Sequence, residues 1–396
     1  MKSINIERLK NNYKTLRGIS LIISLLIIVF GGISYWSNRE FSTKQCLEIE
    51  EEKERIDCYG DIVSATLQRD GIQEAFSVVK NFYQNDPSFA TSCHEFTHLI
   101  GEEAYKKFKQ ESKFEVVPET YYCGYGFYHG FIIKLMSSGD DLSLAQQFCM
   151  YTDRAINENS QTTQLDCYHG IGHGVTDYSS TELLGSGKEQ VLIDNSVALC
   201  EEVSSSNEQL LRCIDGIFHS IGDIYLSDPD YMNSKDEQDP MALCRRQNIE
   251  HRKVCYGAMG YLVMQNFKED FDKALGYASQ IEEPEYAKAL IRPMAGYRSY
   301  STLGIDKNGE NITSCSMLDD ELAKECLMGL VEGITDFGTP GKEHEEVVRF
   351  CRTEGSPAWV ADFCLDHAVK YFGSYFGQEK KSLLCSLAGP RVGCKT

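Results

Sequence analysis

Cys167-Tyr-His-Gly-Ile-Gly-His-Gly174 is one copy of a unit that recurs along this chain, and its recurrence decides the fold. The same Cys-x-x-small start occurs at Cys123-Gly-Tyr-Gly126, Cys213-Ile-Asp-Gly216, Cys255-Tyr-Gly-Ala258 and Cys326-Leu-Met-Gly329, with a degenerate copy at Cys364-Leu-Asp-His367. Pro293-Met-Ala-Gly296 is a copy without cysteine, and it divides the 71 residues from Cys255 to Cys326 into 38 and 33. The resulting period of about 30 to 46 residues is the size of a helix–turn–helix repeat. On a helix begun at each cysteine, the third and seventh positions after it share a face. They hold Gly126 and Gly130, Gly170 and Gly174, Gly216 and Ser220, Gly329 and Gly333, small residues that let neighbouring helices approach closely.

A second cysteine ends an apolar pair shortly before most units: Phe148-Cys149, Leu199-Cys200, Leu243-Cys244, Phe350-Cys351 and Leu384-Cys385. Each reads as the end of one helix, stapled across a polar loop to the start of the next. Neighbour pairing follows: Cys46–Cys58, Cys149–Cys167, Cys200–Cys213, Cys244–Cys255, Cys315–Cys326, Cys351–Cys364 and Cys385–Cys394, which leaves Cys93 for Cys123. Little of the chain alternates with period two; only Phe114 to Tyr121 looks extended. The expected fold is all-α, built of disulfide-stapled helical hairpins, with a closed α/α toroid favoured over an open solenoid.

The 16 cysteines form no CxxC pair, and so many persist as disulfides only in an oxidising compartment. Ile19 to Trp36 agrees: it is an 18-residue, mostly apolar stretch, just long enough to span a bilayer. Lys2, Arg8, Lys10, Lys14 and Arg17 precede it, which places residues 1–18 in the cytoplasm and 37–396 outside. A cleaved signal peptide is the competing reading, but the run exceeds the usual apolar core and no Ala-x-Ala site follows. The chain carries a net charge of −20, and the acidity lies beyond the anchor. That balance argues against nucleic acid as a partner and suits a neutral or cationic ligand or peptide.

The sixth position after each unit's first residue reads His129, His173, His219, Tyr261, Ser299, Glu332 and Lys370, none of them aliphatic. A packed core would select Leu, Val or Ala there, so the column is expected to line a wet cavity. Six of nine histidines (His94, His98, His129, His169, His173 and His219) fall within six residues after a cysteine, and two pairs are spaced i, i+4. That spacing puts both imidazoles on one helical face, as a metal site needs. Taken singly, each histidine also fits a structural role, satisfying a carbonyl of a neighbouring hairpin.

His94-Glu95-Phe96-Thr97-His98 is an HExxH sequence and resembles the metal-binding helix of thermolysin-like zinc metallopeptidases. The resemblance implies zinc on His94 and His98 and Glu95 as general base. Gly101 extends the match, but the position of the metzincin third histidine holds Ala104, and Glu115 and Glu119 lie where no helix is read. The third ligand is then sought on a neighbouring inner helix, at His129 or His173. Gly126-Phe-Tyr-His-Gly130 and Gly170-Ile-Gly-His-Gly174 are similar to the GxxHG helix starts of lanthionine synthetase C-like proteins, α/α toroids with luminal zinc. That resemblance implies the toroid and the metal; the thioether chemistry of that family uses reduced thiols and does not carry over.

The expectation is a membrane-anchored, extracytoplasmic, zinc-dependent hydrolase of peptide or amide bonds. The alternative is a non-catalytic metal-binding or interaction scaffold.

Overall fold

The computed structural model describes residues 44–394, apart from 140, 157–161, 179–180, 185, 229–238 and 304–306. Every regular element among them is helical. The chain divides into two units, residues 1–62 and 63–396. The described part of the first holds the Cys46–Cys58 bond, and α1 (Glu52–Asp70) begins in it. No helix among the described residues is long and apolar enough to cross a membrane; Ile19 to Trp36, which carries the anchor reading, lies outside them.

In the second unit outer and inner helices alternate. The first half runs α2 (Ile72–Asn85), α3 (Cys93–Glu111), α4 (Tyr122–Ser137), α5 (Leu142–Ile156), α6 (Thr162–Tyr178), α7 (Glu189–Val203) and α8 (Asn207–Ser227). The second half runs α9 (Ala242–Arg245), α10 (Ile249–Ala258), α11 (Gly260–Asn266), α12 (Phe271–Ala278), α13 (Pro284–Ser301), α14 (Asn308–Ser316), α15 (Asp320–Phe337), α16 (Glu343–Cys351), α17 (Ala358–Tyr375) and α18 (Gly377–Ala388). All eight cysteine pairs expected from spacing form. Five of them staple the end of an outer helix to the next inner helix, as Cys149 of α5 does to Cys167 of α6.

Most inner helices start earlier than their cysteine. The reason is capping: Ser206 Oγ accepts from Gln209 N at 3.3 Å to open α8, and Asp319 Oδ1 accepts from Glu321 N and Leu322 N to open α15. Cys213 and Cys326 therefore lie in the second turn, while α3 does begin at Cys93.

The small stripe works as expected, through close backbone approach. A Cβ on Gly216 of the stripe would collide with the His169 carbonyl, and one on Gly172, which the stripe does not include, would collide with the Cys213 carbonyl and lie 2.8 Å from the Gly216 Cα, so α6 and α8 meet with no side chain between them. Gly329 and Gly333 of α15 lie in the same way against Arg292 and Gly296 of α13. Gly172→Ala is accordingly expected to destabilise by about 1–3 kcal/mol, the usual cost of overpacking. Gly276→Ala, whose Cβ would meet nothing within 4 Å, should be neutral or slightly stabilising in paired thermal melts.

Successive inner helices pack in order: α3 on α4, α4 on α6, α6 on α8, α8 on α10, α10 on α13, α13 on α15 and α15 on α17. Contacts further along the chain join α4 to α15 and α6 to α17, and the turn Pro87–Ser92 before α3 to α13. Tyr300 OH donates to the Thr91 carbonyl at that crossing. Closing a ring of eight would seat α17 on α3, whereas the long-range contacts found join α4 and α6 each to the fifth inner helix after it. The toroid is thus not shown.

Candidate metal centre

The centre is assembled from α3, α4, α6 and α8. On α3, His94 and His98 are one turn apart, and their Nε2 atoms lie 3.0 Å from each other. Where α4 begins, Cys123, Gly124 and Tyr125 all take left-handed backbone angles, with φ of 57°, 69° and 59°. For Cys123 and Tyr125 this costs about 1–2 kcal/mol each, offset by the disulfide to Cys93 and the burial of Tyr125. The turn aims the Cys123 carbonyl at His94, whose Nδ1 donates to it at 2.7 Å. A carbonyl can only accept, so Nδ1 carries the proton and Nε2 presents its lone pair to the other histidines.

Glycines set the spacing between the helices. A Cβ on Gly126 would meet Thr97 Oγ1 and lie 2.9 Å from His98 Cδ2, and one on Gly130 would overlap the His98 carbonyl. With α4 that close, His129 Nδ1 comes 3.3 Å from His98 Nε2. Gly170 lets α6 lie against Tyr128 and His129 in turn. On α6, His173 Nε2 is 3.1 Å from His169 Nε2, which is also 3.1 Å from His219 Nδ1 of α8. The rings of His129 and His169 are 4.9 Å apart and those of His219 and Tyr261 4.7 Å, so six histidines and a tyrosine form one continuous run.

Among the described residues, two groups meet the distance requirement for holding a metal ion: His94, His98 and His129, and His129, His169 and His173. Bonds of about 2.0–2.1 Å to a tetrahedral ion set ligand nitrogens about 3.3–3.4 Å apart, close to the spacing found. The protonation state suits ligation as well. Burial holds His98, His129 and His173 well below the ordinary imidazole range, reinforced by neighbouring histidines. Burial also lowers His94, against the opposing pull of the Cys123 bond and Glu95. His169 is brought down to about 3 by burial and by Arg212, with Asp215 opposing. In the first group His94 and His98 are half-buried, whereas His129, His169 and His173 are buried.

Asp215, Arg212 and Asp166 were not singled out from sequence. Asp215 Oδ2 accepts from His169 Nδ1 at 2.8 Å, leaving His169 Nε2 for ligation. Burial would raise the Asp215 carboxyl, but Arg212 and His169 hold it below the usual range. Arg212 bridges Asp215 and Asp166, the latter at 2.6 Å. The available signal was positional: Asp215 stands two residues after Cys213, the slot His169 occupies after Cys167.

Other expected residues lie elsewhere. Glu95 is exposed beside His94, and no described hydrogen bond joins it to an imidazole. Glu115 pairs with Lys107, and Glu119 sits in the turn Pro118–Tyr121. Along the polar column, Ser299 is buried on α13 and Lys370 is exposed on α17. Glu332 belongs to a separate cluster, accepting from Arg292 Nε at 2.8 Å and from His367 Nε2 at 2.8 Å. The histidine half of the column converges; the Glu332 cluster adjoins it through Asp336, which feels the charges of Glu332, Asp166 and Arg212.

These shifts carry a sign. Histidines held neutral in the fold but free to protonate when unfolded stabilise fully above the unfolded value of 6.5. That stability is lost as pH falls towards the folded value. Metal-free protein is expected to lose thermal stability steadily between about pH 6.5 and 3, a trend that circular dichroism melts at stepped pH will check. No protein-family model, no curated protein and no solved structure matches this chain.

Proposed function

We propose that the chain is a membrane-anchored, extracytoplasmic, metal-dependent hydrolase of peptide or amide bonds, working at His94, His98 and His129. The observation that carries this reading is the convergence of three imidazole nitrogens, at 3.0 and 3.3 Å, on a group whose His94 and His98 are half-buried while His129 is buried. Three protein ligands with one side towards solvent is the arrangement of a catalytic rather than a closed structural zinc site. Zinc held there supplies Lewis acidity to a carbonyl oxygen and to water. The chain's own residues do the rest. The Cys123 carbonyl fixes the His94 tautomer, buried His129 keeps the group neutral and dry on one side, and exposed Glu95 takes a proton from the attacking water and returns it to the leaving amine. The acidic chain favours neutral or basic peptides as substrates. Ile19 to Trp36 would hold the helical unit outside the membrane, where the disulfides persist.

The exposure of Glu95 favours a second reading, a metal-binding scaffold without turnover. Zinc-loaded full-length protein assayed against neutral and basic peptides separates the two. Cleavage that disappears on chelation and returns with zinc supports the hydrolase; a zinc-loaded protein inert across the panel supports the scaffold.

A further inference from the structure

Away from the imidazoles, α12, α13, α14 and the loop 354–357 before α17 enclose a cleft of about 940 Å³. Five carboxylates line it, Glu269, Asp270, Asp272, Glu310 and Glu354, against the guanidinium of Arg298. Arg298 is committed to the wall: its Nε donates to Asn311 Oδ1 at 2.9 Å, and its guanidinium lies 5.8 Å from the centre of the Phe271 ring. Asp270 and Glu310 have lysines beside them, Lys273 at 2.6 Å and Lys307 at 2.7 Å, in surface pairs that water weakens. No described ion pair engages Glu269, Asp272 or Glu354, and all three are exposed. Phe271 and Ile312 add buried apolar surface, and Met317, 67% exposed, adds an uncovered side chain. Negative charge beside apolar surface suits side chains with a cationic end on an aliphatic stem, those of lysine and arginine.

A line of aromatic rings leads from the cleft to the imidazoles. Tyr297 OH donates to Glu269 Oε1 at 3.3 Å, and the Tyr297 ring lies 6.3 Å from that of Tyr300. Tyr300 is 4.5 Å from Phe337, which is 6.2 Å from His94. All three rings are half-buried. The ring-to-ring steps amount to about 17 Å, the reach of about five extended residues. We infer that the cleft docks a lysine- or arginine-bearing segment of an extended peptide. Its use in turnover rests on the hydrolase reading, in which the docked segment lies about five residues from the bond cut at His94, His98 and His129; the docking itself does not. A second copy of this chain is a poor occupant, because it carries a net charge of −20.

Fluorescence anisotropy on metal-free, full-length protein tests the docking, with a labelled peptide of alternating lysine and alanine, about twelve residues long, and its glutamine counterpart as control. Salt-sensitive binding of the lysine peptide, and none of the glutamine peptide, is expected. Glu269→Gln, Asp272→Asn and Glu354→Gln combined should weaken it about tenfold, and Glu201→Gln, Glu202→Gln and Glu345→Gln combined by less than about twofold. All six positions are exposed, the second three do not line the cleft, and circular dichroism checks that both variants keep their helices. Equal weakening by the two sets would mean that the peptide follows the overall charge of the chain, and would overturn the docking site. So would an absence of binding, or displacement by calcium at constant ionic strength, which would make the cleft a cation site. With zinc restored, a KM for the lysine peptide that rises about tenfold in the cleft variant supports both readings. A peptide that binds as expected and is never cut would overturn the hydrolase and leave the docking site standing. Cleavage with an unchanged KM in the cleft variant would overturn the docking site and spare the hydrolase.

Discussion

Glu95→Gln is expected to leave zinc bound while turnover falls by about 10²–10⁴-fold, the range lost with a general base. Glutamine keeps the size and hydrogen-bonding reach of the side chain but cannot take a proton. Glu95 is exposed and is not among the imidazoles that form the group, so its replacement leaves the ligands alone. His98→Ala acts differently. His98 Nε2 contacts both His94 and His129, so its loss removes the middle nitrogen of the trio, and metal and turnover should disappear from that site together. Metal analysis and peptide cleavage on the two variants distinguish base from ligand. A Glu95→Gln protein with full turnover would remove Glu95 from the chemistry; loss of metal in that variant would make it a ligand instead.

Reduction should have the larger effect on the fold. Eight disulfides close loops with sequence separations of 9 to 30 residues. Loops of this size contribute roughly 2–4 kcal/mol each, with the terms far from additive. Ordinary domains have a net stability of only about 5–15 kcal/mol, so losing even a fraction of the sum is enough to unfold the chain. Full reduction under native conditions is expected to abolish the cooperative thermal transition and most of the helical circular dichroism. A melting temperature unchanged in strong reductant would place the stability in the glycine-mediated helix contacts. It would also weaken the case for an oxidising compartment.

The parts of this structure visible in the sequence were those written in spacing. Cysteine separations named seven bonds, because each joins residues close in the chain, and left Cys93–Cys123 as the remaining pair. The small stripe announced close helices, since only a missing Cβ lets Gly216 approach the His169 carbonyl. The i, i+4 histidines announced a shared face. Contacts between distant inner helices were not legible: α4 against α15 and α6 against α17 join elements about 180 or more positions apart, and local periodicity says nothing about them. The polar column favours a toroid, but periodicity alone does not settle how the series of inner helices closes. The same limit is why Glu332 was placed with the histidines when Arg292 and His367 hold it in the adjoining cluster.

X-ray absorption at the zinc edge of the zinc-loaded, full-length protein tests the central claim most directly. The histidine centre predicts a first shell of nitrogen or oxygen at about 2.0–2.1 Å, outer-shell scattering from several imidazole rings, and no sulfur at about 2.3 Å. A sulfur shell would mean that cysteines bind the metal with their disulfides open, and a spectrum without imidazole scattering would mean that the six histidines serve only the packing of the helices.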